Sequence, residues 1–267
     1  MQIKNQTIMV EGVEYDEFKV RVLNGALREH EGHRSQNVID FIKVFNSINE
    51  FEIKLTPSLQ YRLSRLAGTT LLEAAYILKS LDNVKYISGD WCEYGVAQGK
   101  TSALIAEVML AESNDRMLWL YDSFEGLPQP HEKDILLHDI FQKKTMAAYE
   151  GTISIPERFV TSELESVTTD LSRFCITKGW ITEESLRAKS PEKISFAYLD
   201  MDFYQSTYDV ISFLIERMHK GGIAVIDDYG FFSAGVKTAV NEILLKYPGA
   251  FSLEHPFNDK FVILVRQ

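Results

Sequence analysis

Cysteine is nearly absent from this 267-residue chain, with Cys92 and Cys175 as its only thiols. Two cysteines cannot build a disulfide framework or a cysteine-rich metal site, which points to a reducing compartment. Positive charge is also short: 28 Lys and Arg stand against 38 Asp and Glu, a formal charge of -10. No block of basic residues offers the footprint that phosphate backbones or anionic lipids select, so nucleic acid and membrane are not expected partners. Apolar runs are short too. None approaches the roughly 18 to 20 residues of a membrane span, and the opening residues carry no apolar leader segment. The expectation is a soluble, cytoplasmic protein. Repeats and low-complexity tracts are missing as well. What is present is 45% hydrophobic and 12% aromatic composition, enough for a sizeable core.

The pattern changes near residue 85. Before it, Val38 to Phe45 and Leu71 to Leu78 place apolar residues three and four apart, as amphipathic helices do. Residues 1–84 are read as a helical cap or lid, with a subunit contact as a further role, and 85–267 as the catalytic domain. The second region alternates short apolar runs with helical segments. The runs are Tyr86 to Glu93, Met117 to Asp122, Phe174 to Lys178, Ile194 to Asp200 and Gly222 to Asp227; the clearest helices are Ser102 to Ala111, Thr207 to Met218 and Val236 to Tyr247. Gly221-Gly222 is read as the stop of the second helix. Alternation of this kind predicts an α/β fold, a doubly wound, mostly parallel Rossmann-like sheet. Ala250 to Leu253 and Phe261 to Val265 lack an intervening helix, so an antiparallel C-terminal hairpin should close one edge and complete a seven-stranded sheet. In such sheets ligands sit beyond the carboxyl ends of the strands.

Those strand ends carry the chemistry. The first runs into Glu93-Tyr94-Gly95-Val-Ala-Gln-Gly99-Lys-Thr101-Ser102, a glycine turn feeding a helix N-terminus that can receive a carboxylate or phosphate. Gly95 to Thr101 is one residue short of a phosphate-binding loop, which keeps a P-loop-like nucleotide hydrolase or kinase as a rival. The second strand ends at Asp122, placed to accept hydrogen bonds from ribose hydroxyls or, alternatively, to cap its own turn. Asp200, Asp202, Asp227 and Asp228 end the next central strands. The three carboxylates of Asp200, Asp227 and Asp228 at one sheet edge repel unless a cation lies between them, and Mg²⁺ suits such an oxygen set. For Asp202, capping the following helix is the competing reading.

Five motifs in this order, Glu93 to Gly99, Asp122-Ser-Phe-Glu-Gly-Leu-Pro128, Lys178-Gly-Trp180, Leu199 to Thr207 and Val225 to Gly230, resemble the macrocin O-methyltransferase (TylF-like) family over roughly residues 85–265. That resemblance implies the class I S-adenosylmethionine-dependent methyltransferase fold. It implies that Glu93, Gly95 and Gly99 line the methionine end of the cofactor, that Asp122, Ser123 and Phe124 hold its ribose and adenine, and that Tyr94, Thr101, Ser102, Gly126, Lys178 and Trp180 also belong to the cofactor site. It also implies that Asp200, Asp227 and Asp228 are Mg²⁺ ligands, and that the acceptor is a hydroxyl of a sugar or glycosylated small molecule. Two departures fall on the acceptor side: Ile181 to Pro191 replaces an acidic-Thr-Leu-Pro stretch, and Met201 replaces a glycine. A catechol-like vicinal diol is a rival acceptor, and a non-catalytic cofactor-binding relative is a rival role.

Methyl transfer from a sulfonium is an in-line displacement that needs an oriented hydroxyl and a base. Asp200 is expected to serve as that base as well as ligating metal. The six histidines, His30, His33, His131, His138, His219 and His255, show no metal or triad spacing. His131 and His138 fall in the segment after Pro128 that should cover the acceptor, and are read as solvated loop residues. Tyr204 and Tyr229 are candidate pocket walls. Phe51 to Leu55 and Phe231-Phe232 are read either as a symmetric homo-oligomer interface or as core.

Overall fold

The computed structural model describes residues 7–10, 13–16, 35–112, 114–256 and 259–267. The chain divides into two compact units, residues 1–79 and 80–267. In the first, strands β1 (Thr7–Val10) and β2 (Val13–Asp16) pair antiparallel, a ribbon that a wholly helical reading of this region missed. Helix α1 (Ser35–Ile48) buries Val38, Phe41, Ile42 and Phe45, the stripe its spacing predicts. Helix α2 (Pro57–Arg65) begins with proline, and the Thr56 hydroxyl accepts from the Leu59 N–H. Helix α3 (Leu71–Val84) is opened by a reciprocal box: Glu73 N–H donates to the Thr70 hydroxyl at 3.1 Å, and Thr70 N–H to the Glu73 carboxylate at 3.4 Å.

The second unit is built on strands β3 (Asp90–Tyr94), β4 (Leu118–Asp122), β5 (Phe174–Lys178), β6 (Ile194–Leu199), β7 (Met218–Ile226), β8 (Phe251–Glu254) and β9 (Val262–Arg266). Their order is β5-β4-β3-β6-β7-β9-β8, parallel through β7 and antiparallel at β9 and β8. All six residues of β6 are buried, which is why that run reads as continuously apolar rather than alternating. Between the strands lie α4 (Lys100–Ala111), α5 (Arg158–Glu165), α6 (Glu183–Ala188), α7 (Tyr204–Arg217) and α8 (Ala234–Lys246), and a 3₁₀ turn at Met146–Tyr149. The order reverses between β3 and β6, so the crevice for a ligand opens beyond their carboxyl ends.

One expected boundary is corrected. Gly221-Gly222 does not stop α7, which ends at Arg217 and passes directly into β7. The pairing shifts from Ile194 opposite Met218 to Phe196 opposite Ile223, so the glycines occupy a bulge, with Gly221 at φ 77°. The first strand is also shorter than predicted. It starts at Asp90, and Tyr86, the residue expected to open it, is exposed. Among the described residues no helix is long and apolar enough to cross a membrane.

Candidate active site

The turn after β3 is fixed by close approaches that only glycine tolerates. Gly95 has φ 84°, and a Cβ there would stand 1.8 Å from the Asp200 carbonyl oxygen. Gly99, at φ 79°, opens α4, and its Cβ would meet the Val160 Cα of α5 at 2.8 Å. The turn is thereby pressed between the end of β6 and α5. Tyr94, just before it, is fully buried and stacks on Tyr121 at 4.7 Å.

Glu93, one residue earlier in the same strand, is almost without exposure, and its Oε2 has no hydrogen-bond partner among the described residues. Burial pushes its carboxyl up to about 8; the Ser102 hydroxyl pulls it down and Asp122 pushes it further up. Thr101 and Ser102 are buried in the first turn of α4 beside it.

Asp122 faces the turn. Its Oδ2 accepts the Val96 and Ala97 N–H groups, both at 2.9 Å, and its Oδ1 accepts the Phe124 N–H at 2.7 Å. Three of its roughly four acceptor positions are therefore taken. These bonds also occupy the Val96 and Ala97 amides, two of those a phosphate cradle would use, which counts against the P-loop reading of this turn. Ser123 and Gly126 shape the next turn: the Ser123 hydroxyl donates to the Gly126 carbonyl, and a Cβ on Gly126 would lie 2.4 Å from the Thr152 carbonyl. Phe124 is buried with φ 57°. Lys178, opposite Asp122 in the sheet, and Trp180 are exposed at the rim, and Gly179 N–H donates to the Asp122 carbonyl.

Beyond β6 and β7, oxygens of Asp200, Asp202 and Asp228 lie within 4.8 Å of one another. Asp202 (φ 63°) and Asp228 (φ 55°) both hold the left-handed backbone that most non-glycine residues avoid. Burial and the neighbouring Asp228 and Asp200 hold the Asp202 carboxyl far above the usual range. Neither Asp202 nor Asp228 caps a helix. The Tyr204 N–H that opens α7 bonds Asp134, and α8 is capped by Ser233 onto the Gly235 N–H. Asp227, expected among the ligands, lies outside that trio; its Oδ1 accepts from the Lys260 ammonium at 2.8 Å, and Asp228 Oδ1 lies 3.3 Å from the same ammonium.

Asp134 and Lys260 are the residues that sequence reasoning missed. Asp134 is a buried carboxylate whose Oδ1 accepts from Tyr204 N–H and the Ser233 hydroxyl and whose Oδ2 accepts from His131 N–H. One side chain thus ties the segment after Pro128 to the helices that follow both acidic loops. Nearby, Lys133 bonds Tyr204 and Glu242, and the His131 ring lies 4.8 Å from that of Tyr204. His138 stacks on Phe231, while Phe232 is buried core with Phe203 and Tyr149. Tyr229 is buried and bonds Asn241. His30 and His33 lie outside the described residues.

A profile of the family Macrocin-O-methyltransferase (TylF) matches residues 71–248. The chain belongs to this family. It is therefore an O-methyltransferase, and the seven-stranded sheet with its antiparallel end is that enzyme's fold. Curated relatives of this family member include a tetracenomycin rhamnoside 4'-O-methyltransferase of Streptomyces olivaceus, 27% identical over 194 residues that span 68% of this chain and 70% of the relative. A mycinamicin III 3''-O-methyltransferase of Micromonospora griseorubida is 25% identical over 57% of this chain and 63% of its own length. The demethyldecarbamoylnovobiocin O-methyltransferase of Streptomyces niveus is 25% identical over 64% and 67%. Among solved structures, the O-methyltransferase NovP shares the fold at TM-score 0.65 and 22% identity, covering 94% of this chain and 97% of its own.

Proposed function

We propose that this enzyme transfers the methyl of S-adenosylmethionine to a hydroxyl on the sugar of a glycosylated small molecule, with Mg²⁺ at the acidic cluster. The observation that carries this reading is the contact of Gly95 with the Asp200 carbonyl, which sets the glycine turn directly beside the carboxylates. A cofactor held on that turn would supply its methyl beside these carboxylates. The orphaned Glu93 oxygen fits the cofactor's ammonium, and the rim of Ser123, Phe124, Lys178 and Trp180 fits its nucleoside end. The three converging oxygens of Asp200, Asp202 and Asp228 fit a hard divalent cation. That ion would lower the pKa of the acceptor hydroxyl.

The protein's own part is alignment and proton removal. Asp200 would take the proton of the acceptor hydroxyl as that oxygen gains the methyl, with S-adenosylhomocysteine as the leaving group. The relatives named for 4'-O and 3''-O methylation of glycosylated compounds support a sugar acceptor. The test begins with calorimetric titration of S-adenosylhomocysteine, with and without Mg²⁺, beside an ATP control. Binding of the homocysteine ligand but not ATP is expected, followed by turnover on glycoside acceptors that a chelator abolishes. Turnover only on catechols, or binding of ATP alone, overturns the reading.

A further inference from the structure

Asp134 is a buried carboxylate set between the N-termini of the two helices that follow the acidic loops. Its Oδ1 accepts from the Tyr204 N–H and from the Ser233 hydroxyl, each at 2.9 Å, and its Oδ2 accepts from the His131 N–H at 2.8 Å. Phe203, at the N-cap of α7, has no side-chain acceptor, so that helix takes its cap from Asp134. Helix α8 is capped by Ser233 onto the Gly235 N–H, and Ser233 in turn donates to the same Asp134 oxygen. A glycine keeps the space for this carboxylate. A Cβ on Gly235, in the first turn of α8, would stand 1.8 Å from Asp134 Oδ1. Alanine is the better helix former, so the glycine serves the carboxylate and not the helix. The backbone follows the same line: Ala234 N–H donates to the Ile135 carbonyl and Leu137 N–H to the Phe232 carbonyl, both at 2.9 Å. Asp202 lies two residues before Tyr204, and Asp228 five before Ser233. Phe203 and Phe232, each one residue before a group that bonds Asp134, stack at 5.9 Å.

We propose that Asp134 is a positioning residue of the transfer site, holding the loops after β6 and β7 at the separation at which their acids share a cation. The inference rests on the proposed Mg²⁺ role. Oxygens of Asp200, Asp202 and Asp228 lie within 4.8 Å of one another, and like charges at that range push their loops apart. The spacing therefore has to come from a contact outside the cluster. Asp134 supplies it, because donors that follow both loops meet on one carboxylate, which two helix N-termini favour. A clamp of this kind keeps the empty site near the geometry that the ion needs, so binding does not first have to reorder the loops. The bonds of Asp122 to the glycine turn involve none of these groups, which separates cofactor binding from the clamp.

The experiment is Mn²⁺ binding to the full chain without acceptor, read by electron paramagnetic resonance, beside calorimetric titration of S-adenosylhomocysteine. Wild type, Asp134→Ala, Asp134→Asn and Gly235→Ala are compared where a urea titration shows each to be folded. Asp134→Ala should weaken Mn²⁺ binding by about tenfold or more and alter the spectrum of the bound ion, as loss of a group that orients metal ligands does. The homocysteine ligand should still bind within about threefold of wild type, since its turn makes no bond to Asp134. Gly235→Ala leaves every bonding group in place and displaces only the carboxylate, so it should lose Mn²⁺ affinity to a similar degree. Asp134→Asn keeps the oxygen shared by Tyr204 and Ser233 and gives up only the His131 contact, so it should restore Mn²⁺ binding to within about threefold of wild type. Folded Asp134→Ala and Gly235→Ala proteins with wild-type Mn²⁺ binding overturn the inference, and so does an Asp134→Asn protein as impaired as Asp134→Ala. Should Asp134→Ala or Gly235→Ala fail to fold, Ser233→Ala takes its place. It unlinks α8 and leaves Tyr204 bonded, so Mn²⁺ binding should weaken, and wild-type affinity there overturns the inference. Absence of Mn²⁺ binding in wild type removes the metal reading itself and this inference with it, whereas binding that the variants retain overturns the inference alone.

Discussion

Glu93 ties ligand binding to pH. Its carboxyl sits near 8 in the folded protein against 4.5 when exposed, because burial penalises the charged form. A raised acid gives its stability in the protonated state. That stability is complete below about pH 4.5 and is lost as pH rises toward 8, at about 1.4 kcal/mol per unit across the interval. Chemical denaturation of the free protein should show this slope, and Glu93→Gln should flatten it. A bound ammonium favours the carboxylate, so titration of S-adenosylhomocysteine near pH 7 should release close to one proton, measured as dependence of the heat on buffer ionisation enthalpy. In Glu93→Gln that release should vanish and affinity should fall by tenfold or more, the loss of one charged partner at about 1.4 kcal/mol per decade. Asp200 belongs to the same scale. With Asp200→Asn, turnover should drop by about 10² or more, the usual worth of a positioned base, while the homocysteine ligand still binds. Near-normal turnover would sink its assignment as base.

At the level of elements, Asp134 joins a loop to two helices that follow the acidic strand ends. Asp134→Ala removes an acceptor shared by three donors and should cost about 3 kcal/mol in a urea titration, with Asp134→Asn recovering part of it through its remaining carbonyl oxygen. Gly95→Ala should not yield a native turn at all, since its methyl would overlap the Asp200 carbonyl; a soluble, cofactor-binding Gly95→Ala protein would refute the close approach. The elements themselves were largely readable. Parallel strands buried on both faces leave unbroken apolar runs, and an acid or turn at each end marks where the run meets the ligand crevice. The helices α5 and α6 escaped notice because eight and six residues hold too few apolar positions to show a period. Asp202 was legible as an acid and ambiguous in role, since N-capping and ligation ask for the same residue type; capping is excluded only in three dimensions, where the Tyr204 N–H bonds Asp134 instead. Lys260 stayed hidden because its role depends on the β7–β9 register, although its place immediately before the apolar run Phe261 to Val265 was the available signal. Asp134 had one local partner, the His131 N–H three positions before it, while the two that tie it to the helices lie 70 and 99 positions away and left no trace in the local sequence.

For the whole molecule, the site lies at the reversal of the strand order, so ligand binding draws on both halves of the sheet. Saturating S-adenosylhomocysteine at about 100 times its dissociation constant should add about 2.7 kcal/mol, which raises the melting midpoint by roughly 5 to 10 °C for a unit of this size. A scanning fluorimetry shift confined to ATP would contradict the assignment. Finally, the three amide bonds received by Asp122 bear on selectivity in a crowded metabolite pool. A carboxylate lodged in the turn after β3 repels any triphosphate or sugar nucleotide seeking the same helix entrance, while a sulfonium carrying its own ammonium meets attraction there. On the proposed reading, competition at this entrance would fall to the cofactor and its demethylated product, and the rate would follow their ratio rather than the supply of nucleoside triphosphate.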